Sequence, residues 1–297
     1  MVEMKVYSDG GHFIGILSGF FKAKKKGKNK EYTAEVDGTT IDLKETYNEK
    51  REKHSDKKKK DRTEEIIKEM APLLIGGEEE ARAFVEAQNL RIDNNTAQRM
   101  KLLFRRVRLL FPNYFCTFTY DSKKHNAETF KSALSRTLNN FSVRYGWKYV
   151  GAWEEGAENG RVHFHALIRI PEGQMKGELV EKKDFDTKHK RMQTTTQNTY
   201  FNERFGRTDF DEINEHVLDA SIKYLIKYID KSNKKLVYAR GVLPYVKVQV
   251  QEDDILCWYG EENSGKVLLA DNFLCIQNGE VFGNACPEVI NLLEKCN

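Results

Sequence analysis

His163-Phe164-His165 lies in an alternating apolar run from Val162 to Ile170, and the block Tyr224-Leu225-Ile226-Lys227-Tyr228-Ile229-Asp230-Lys231 follows later in the chain. On a strand, successive side chains point to opposite faces. His163 and His165 therefore project together while Val162, Phe164, Ala166 and Ile168 face the other way. Neutral imidazole ligates divalent metals, so the pair forms half of a metal site. The tyrosine block reads as a helix, on which residues three and four apart are neighbours. Tyr224 lies beside Tyr228, and Lys227 and Lys231 each stand three residues after a tyrosine. A phenol has an ordinary pKa of about 10; a nearby cation lowers the cost of ionising it and can also hold a phosphate oxygen.

Two imidazoles seldom suffice for a metal, and the elements around them supply a third ligand. Trp147 to Trp153 reads as a strand, Gly156 to Arg161 with Asn159-Gly160 as a turn, and Val162 to Ile170 as the returning strand. Across that hairpin Glu154 falls next to the histidine pair, and Glu155 points to the opposite face. Projecting residues 213–231 as a helix puts Leu218, Ile222, Leu225 and Ile229 on one buried stripe, with Tyr224 and Tyr228 at its border and the lysines on the solvent side. A lone His-x-His on a strand is more often structural, and tyrosines beside an apolar stripe more often complete a core. Together the parts describe phosphoryl transfer. A divalent metal on His163, His165 and Glu154 polarises a phosphodiester, and Tyr224 or Tyr228 attacks it to leave a covalent phosphotyrosine, with Lys227 and Lys231 assisting. A side-chain nucleophile conserves the bond energy for rejoining, which favours strand transfer over plain hydrolysis.

The remaining sequence must position these groups. Tyr114 to Tyr120 is a strand of aromatic and β-branched residues. Asn126 caps a helix whose Phe130, Leu134, Leu138, Phe141 and Tyr145 form a stripe that packs on a sheet. Thr96 to Leu110 is a basic helix with Arg99, Lys101, Arg105, Arg106 and Arg108 beside Met100, Leu103, Phe104 and Val107, which suggests core on one side and phosphate on the other. Those five, with Lys223 on the tyrosine helix, are the candidate DNA contacts. Pro171 to Asp211 is polar and poorly periodic and reads as an insertion with little regular structure.

The expected class is α+β, a central antiparallel sheet with packed helices and small β-rich additions at both ends. Four segments are expected: residues 1–62, a β element and basic linker; 63–110, a helical basic segment; 111–235, the catalytic domain; and 236–297, a β-rich acidic tail. In the first, Lys22 to Lys28 reads as a basic loop and Glu49 to Arg62 as a flexible linker; in the second, Thr63 reads as the cap of a short helix, and 78–89 and 96–110 as two further helices. With 297 residues, 39% hydrophobic and 32% charged, the chain is long enough for a core. No apolar run approaches the roughly 20 residues of a bilayer span, and the N-terminus lacks a signal-peptide profile, so a cytoplasmic location is expected. Val237 to Asn297 holds four Lys/Arg against nine Asp/Glu, or −5; with a net charge of +4 overall, the rest of the chain carries +9. Nucleic acid belongs with the basic part.

Cys116, Cys257, Cys275, Cys286 and Cys296 show no CxxC spacing and read as reduced thiols. Gly260-Glu261-Glu262-Asn263-Ser264-Gly265-Lys266 has the glycine and lysine spacing of a P-loop, but Val267 stands where a Ser or Thr hydroxyl is required. Too little chain follows for a nucleotide-hydrolysing domain, so a polar turn is the better reading.

Over Tyr114 to Lys231 the chain resembles the HUH endonuclease superfamily of rolling-circle replication initiators (Rep proteins). Phe115-Cys116-Thr117-Phe118-Thr119-Tyr120 resembles the first motif and His163-Phe164-His165 the His-hydrophobic-His motif. The tyrosine block resembles the third motif of two-tyrosine microvirus gene A-type and related plasmid and phage initiators. The resemblance implies an RRM-like sheet domain that binds single-stranded or hairpin origin DNA and nicks one strand with Mg²⁺ or Mn²⁺. It would keep the 5′ end on tyrosine, free a 3′-OH primer, and rely on a host helicase and polymerase. The rivals are a transposase or relaxase of the same superfamily, and a non-catalytic single-strand-binding module in which the histidines are structural.

Overall fold

The computed structural model describes residues 1–20, 32–36, 38–156, 160–186, 190–231, 236–258 and 265–293. The expected basic loop at Lys22–Lys28, Asn159 of the expected turn, Gly260 to Ser264 and Cys296 lie outside them. The chain forms two compact units, one of Met1–Phe21 with Arg99–Asn297 and one of Lys22–Gln98. Along the chain run β1 (Val2–Ser8), β2 (Phe13–Leu17), β3 (Thr33–Val36), β4 (Thr39–Asp42), α1 (Leu43–Lys53), α2 (Lys59–Met70), α3 (Gly77–Leu110), β5 (Tyr114–Thr119), α4 (Ala127–Arg144), β6 (Lys148–Glu155) and β7 (Val162–Arg169). These are followed by β8 (Leu179–Asp186), β9 (Arg191–Asn198), α5 (Thr199–Arg204), β10 (Thr208–Glu212), α6 (Glu215–Lys231), β11 (Val237–Tyr238), β12 (Val246–Val250), β13 (Ile255–Trp258), β14 (Lys266–Leu269), β15 (Leu274–Gln277), β16 (Glu280–Asn284) and α7 (Pro287–Leu292).

Among the described residues the first unit holds a five-stranded antiparallel sheet in the order β10-β5-β7-β6-β11. Strand β7 is central and largely buried because both faces of the sheet are covered. On one face Phe118, Phe164 and Phe210 meet Phe130 of α4 and Phe201 of α5 in one aromatic cluster with Trp153. The expected stripe on α4 does pack here, with Phe130, Leu134, Leu138 and Phe141 buried. Asn126 caps that helix as expected, its side chain accepting from Thr129 N while the Asn126 N–H donates to Thr129 Oγ1, a reciprocal capping box. Gly151 of β6 lies opposite Ala166, where a Cβ would collide with Phe164 Cζ and stand 2.8 Å from the His165 carbonyl oxygen. The bare backbone is what lets the Phe164 ring lie across β6.

The two terminal β-rich segments are one structure rather than two additions. β1 pairs with β12, and the order β13-β14-β2-β1-β12-β15-β16 makes an antiparallel sheet around Met4, Val6, Val248, Val250 and Phe273. Sequence periodicity identifies such strands but carries no record of which distant strand is the neighbour. The P-loop-like segment falls between β13 and β14, which pair antiparallel; Lys266 opens a strand, where a phosphate loop would open a helix.

Other expectations are corrected. Residues 49–62, expected as a flexible linker, are mostly helical, in α1 and α2. Asp42 caps α1 by accepting from Lys44 N and Glu45 N, and Tyr47 packs in a core with Ile66, Ile67 and Met70. The polar composition is spent on ion pairs: Lys50 and Lys53 both meet Glu69. Thr63 caps nothing; α2 begins four residues earlier at Lys59, and Thr63 donates back to the Lys59 carbonyl. The two helices expected over 78–110 are one, α3.

Residues 171–211, expected to lack regular structure, contain the ribbon β8-β9, helix α5 and strand β10. The ribbon is held by polar contacts, Gln197 donating to both Asp184 and Thr195, so no apolar alternation announces it. β10 is an edge strand paired with β5.

Candidate active site

The second face of the five-stranded sheet carries the chemistry. Its side chains follow from register: Thr117 is opposite His165, which is opposite Ala152, and Thr119 is opposite His163, which is opposite Glu154. Directly paired residues on antiparallel strands share a face. Thr117 Oγ1 lies 3.0 Å from His165 Nδ1, and Thr119 Oγ1 lies 2.8 Å from His163 Nδ1. The imidazole planes are near parallel, with centroids 6.2 Å apart and 29° between them. Glu154 Oε2 lies 2.8 Å from His165 Nε2, so the carboxylate leans diagonally across the hairpin. Glu155 points away and meets Lys131 of α4 at 3.9 Å, as alternation requires.

Burial lowers the pKa of both histidines; for His165 the Glu154 carboxylate opposes that effect only in part, and the value falls to about 4. Both rings are therefore neutral near neutral pH, the state in which imidazole ligates metal. Among the described residues no three His, Cys, Asp or Glu side chains converge closely enough to hold an ion as they stand. The donor types could still hold a divalent cation: with each Nδ1 on a threonine hydroxyl, Nε2 of His163 and of His165 would be the ligand atoms beside one carboxylate. Glu154 would exchange its contact with His165 for a shared ion.

Helix α6 brings the tyrosine to this face. Ile222 and Leu225 are fully buried and anchor the helix, and Tyr224 stands half-buried at their border, as the projection predicts. Its ring centroid lies 5.2 Å from that of His165 and 5.4 Å from that of Phe115, edge-on to both. Lys227 Nζ sits 3.4 Å from the centre of the Tyr224 ring, a cation over the π face. The side chains of Tyr228, Ile229 and Lys231 lie outside the described residues, although their backbone continues α6.

The basic residues at the end of α3 are mostly engaged with the protein itself. Arg105 stacks 3.6 Å over Tyr7 and Arg106 4.3 Å over Tyr238, while Arg108 pairs with Asp219 of α6. The Nε atoms of all three are buried and lack hydrogen-bond partners among the described residues. Arg99 is half-buried, and Lys101 and Lys223 are exposed. The structure thus divides the candidate DNA contacts into bracing arginines and solvent-facing lysines.

Sequence reasoning missed Thr117, Thr119 and Phe115 as members of the site. The signal was present: within Tyr114 to Tyr120 every second residue on one face is Phe115, Thr117 or Thr119, while Cys116 and Phe118 are the buried set. It also missed the neighbouring Asp209, opposite Thr117 on β10; burial raises its pKa, and Arg207 opposes the rise.

Residues 113–233 match the family model of the replication-associated proteins of the ORF2/gene 2 protein type, a rolling-circle replication initiator family. The match runs from β5 through α6, taking in β5, β6, β7 and β10 of the sheet but not β11, and so includes Glu154, the histidines and the tyrosines. It supports a replication-associated initiator role and contact with DNA. No curated protein and no solved structure matches the chain significantly.

Proposed function

We propose that this chain starts rolling-circle DNA replication by nicking one origin strand through Tyr224, forming a 5′-phosphotyrosine link and freeing a 3′-OH. The observation that carries this reading is the edge-on contact of Tyr224 with His165, with Lys227 over the tyrosine ring. A phenol at that position reaches the histidine face, and the cation offsets charge as its proton leaves. His163, His165 and Glu154 would hold Mg²⁺ or Mn²⁺. A divalent ion bound there supplies Lewis acidity to the scissile phosphodiester. The threonines hold the imidazoles, Phe115 holds the tyrosine ring at its edge, and the bulk of the sheet keeps these groups in fixed register. Attack by the phenolate oxygen forms one P–O bond and breaks the bond to the 3′ oxygen, which leaves as the primer terminus. Tyr228, one helical turn on, would act in the second transfer that rejoins the displaced strand, with Lys231 beside it.

The proposed substrate is single-stranded or hairpin origin DNA, met inside the cell where that DNA is copied. A host helicase and polymerase would carry out unwinding and synthesis from the freed 3′-OH. No helix of the described residues is long and apolar enough to cross a membrane.

The test is incubation with labelled single-stranded oligonucleotides and origin hairpins in Mn²⁺, followed by a denaturing gel. A metal-dependent protein–DNA adduct that is lost in Tyr224→Phe is expected. Folded protein that forms no adduct across a broad hairpin library would overturn the enzymatic reading and leave a strand-binding module.

A further inference from the structure

We propose that Thr117 and Thr119 are positioning residues whose hydroxyls act as two-way partners for the histidines, letting each imidazole exchange tautomer without moving. This inference rests on the metal reading above and adds to it the residues that make the site switchable.

The argument begins with the hydrogen bonds His165 makes on both sides. Its Nε2 lies 2.8 Å from Glu154 Oε2 and its Nδ1 lies 3.0 Å from Thr117 Oγ1. An ionised carboxylate only accepts, so a neutral His165 facing it must carry its proton on Nε2, and Nδ1 is then a lone pair. Thr117 satisfies that lone pair by donating its O–H. To ligate a cation, Nε2 must present a lone pair and the proton must sit on Nδ1. Thr117 satisfies that state as well, because a hydroxyl that donated can turn and accept. The exchange balances: one proton leaves Nε2 to solvent, one is taken up at Nδ1, and the net charge of the ring is unchanged.

A carboxylate or carbonyl in place of the threonine would accept only. It would fix the proton on Nδ1 and set the lone pair of Nε2 against Glu154 whenever no cation is present. A valine would satisfy neither state in a buried setting. His165 is 7% exposed, so water replaces the hydroxyl poorly. Thr119 Oγ1 makes the same contact with His163 Nδ1, at 2.8 Å, in the next register pair on this face, so a two-way hydroxyl stands behind each of the two imidazoles. Both rings stay parallel because both are held from the same strand.

The two alternating threonines of β5 thus share one task. Their methyl groups suit a strand, and their hydroxyls lie on the histidine side by the same alternation that buries Cys116 and Phe118.

The experiment uses the full chain labelled with ¹⁵N on histidine. Long-range ¹H–¹⁵N spectra report which ring nitrogen carries the proton, and Mn²⁺ titration gives affinity without any DNA. In the wild type His165 is expected as Nε2–H without metal and as Nδ1–H with Mg²⁺. Thr117→Val and Thr119→Val are expected to weaken Mn²⁺ binding about ten- to a hundredfold, and Thr→Ser at either position should restore it. Circular dichroism checks that each variant folds, and the serine variants carry the test if a valine variant does not. Should the wild type bind no Mn²⁺ at these histidines, the metal reading falls and this inference with it. Should the wild type bind Mn²⁺ while both valine variants bind as tightly, or should His165 keep one tautomer throughout, the threonine inference alone is overturned.

Discussion

Glu154 contacts His165, 2.8 Å from Oε2 to Nε2, although its partner in strand register is His163. The diagonal turns a carboxylate that lies opposite one imidazole in register onto the Nε2 of the other. It places the negative charge at the side of His165, while Tyr224 approaches the same ring from α6. The functional consequences follow from that convergence.

Tyr224→Phe keeps the ring contacts with Phe115 and His165 and removes only the oxygen. Covalent adduct formation is expected to fall by at least about three orders of magnitude, with the melting temperature nearly unchanged. Tyr228→Phe is expected to retain the first adduct and to lose rejoining, measured as circular product from a nicked hairpin substrate. Full activity in the double variant would refute the tyrosine assignment.

Lys227→Met keeps an unbranched stem over the Tyr224 ring and removes the charge. A cation over an aromatic face is worth about 0.5 to 2 kcal/mol, so a rate loss of roughly two- to thirtyfold is expected from that contact alone. Single-turnover nicking of a labelled oligonucleotide at fixed pH checks it, and a rate equal to wild type would remove Lys227 from the step.

The basic residues should separate by readout. Arg105→Gln and Arg106→Gln lose their stacking on Tyr7 and Tyr238, and are expected to cost about 1 kcal/mol each in stability with little change in the salt dependence of DNA binding. Lys101→Gln and Lys223→Gln should leave stability alone and reduce the salt slope of single-strand binding by roughly 0.7 each. Urea melts and fluorescence anisotropy at several salt concentrations distinguish the two groups. An unchanged melt for both arginine variants would remove their bracing role.

Gly151→Ala drives a methyl group into Phe164 Cζ and to 2.8 Å from a backbone oxygen of β7. Overpacking of this kind costs about 1 to 3 kcal/mol. Because the displaced oxygen belongs to His165, Mn²⁺ affinity is expected to fall along with the unfolding midpoint, whereas a change in the midpoint alone would show that the strand absorbs the shift.

In the second unit Glu69 is held at about 2, from an ordinary 4.5, chiefly by a hydrogen bond from Lys53 and then by His54 and Lys50. A carboxylate whose folded value is depressed stabilises the fold fully above its unfolded value. That contribution is lost as pH falls from about 4.5 toward about 2. Hydrogen exchange in α1 and α2 should therefore show wild type better protected than Glu69→Gln near neutral pH, with the gap closing across that window. A gap that persists at about pH 2 would mean that Glu69 contributes through packing.

What could be read from the chain in advance was local. The alternation around His163 and His165, the length of the hairpin that returns Glu154 to them, and the helical border position of Tyr224 all depend on residues close in sequence, whose geometry is fixed by the strand period of two and the helix period of 3.6. The antiparallel α+β class followed from the same short-range patterns. Polar segments were misread, because Lys50, Lys53 and Glu69, or Asp184, Thr195 and Gln197, hold structure through pairings that hydrophobic periodicity does not register.

The sequence by itself determined which groups the site contains and which way each one points from its own element. Tertiary structure alone decided that Thr117 and Thr119 meet the histidine Nδ1 atoms and that the bracing arginines Arg105 and Arg106 of α3 lie against tyrosines. It alone joined β1 to β12. Each of these is a contact between segments far apart in the chain, and the pairing of one strand or helix face with another depends on the whole set of competing surfaces rather than on the spacing of residues within either.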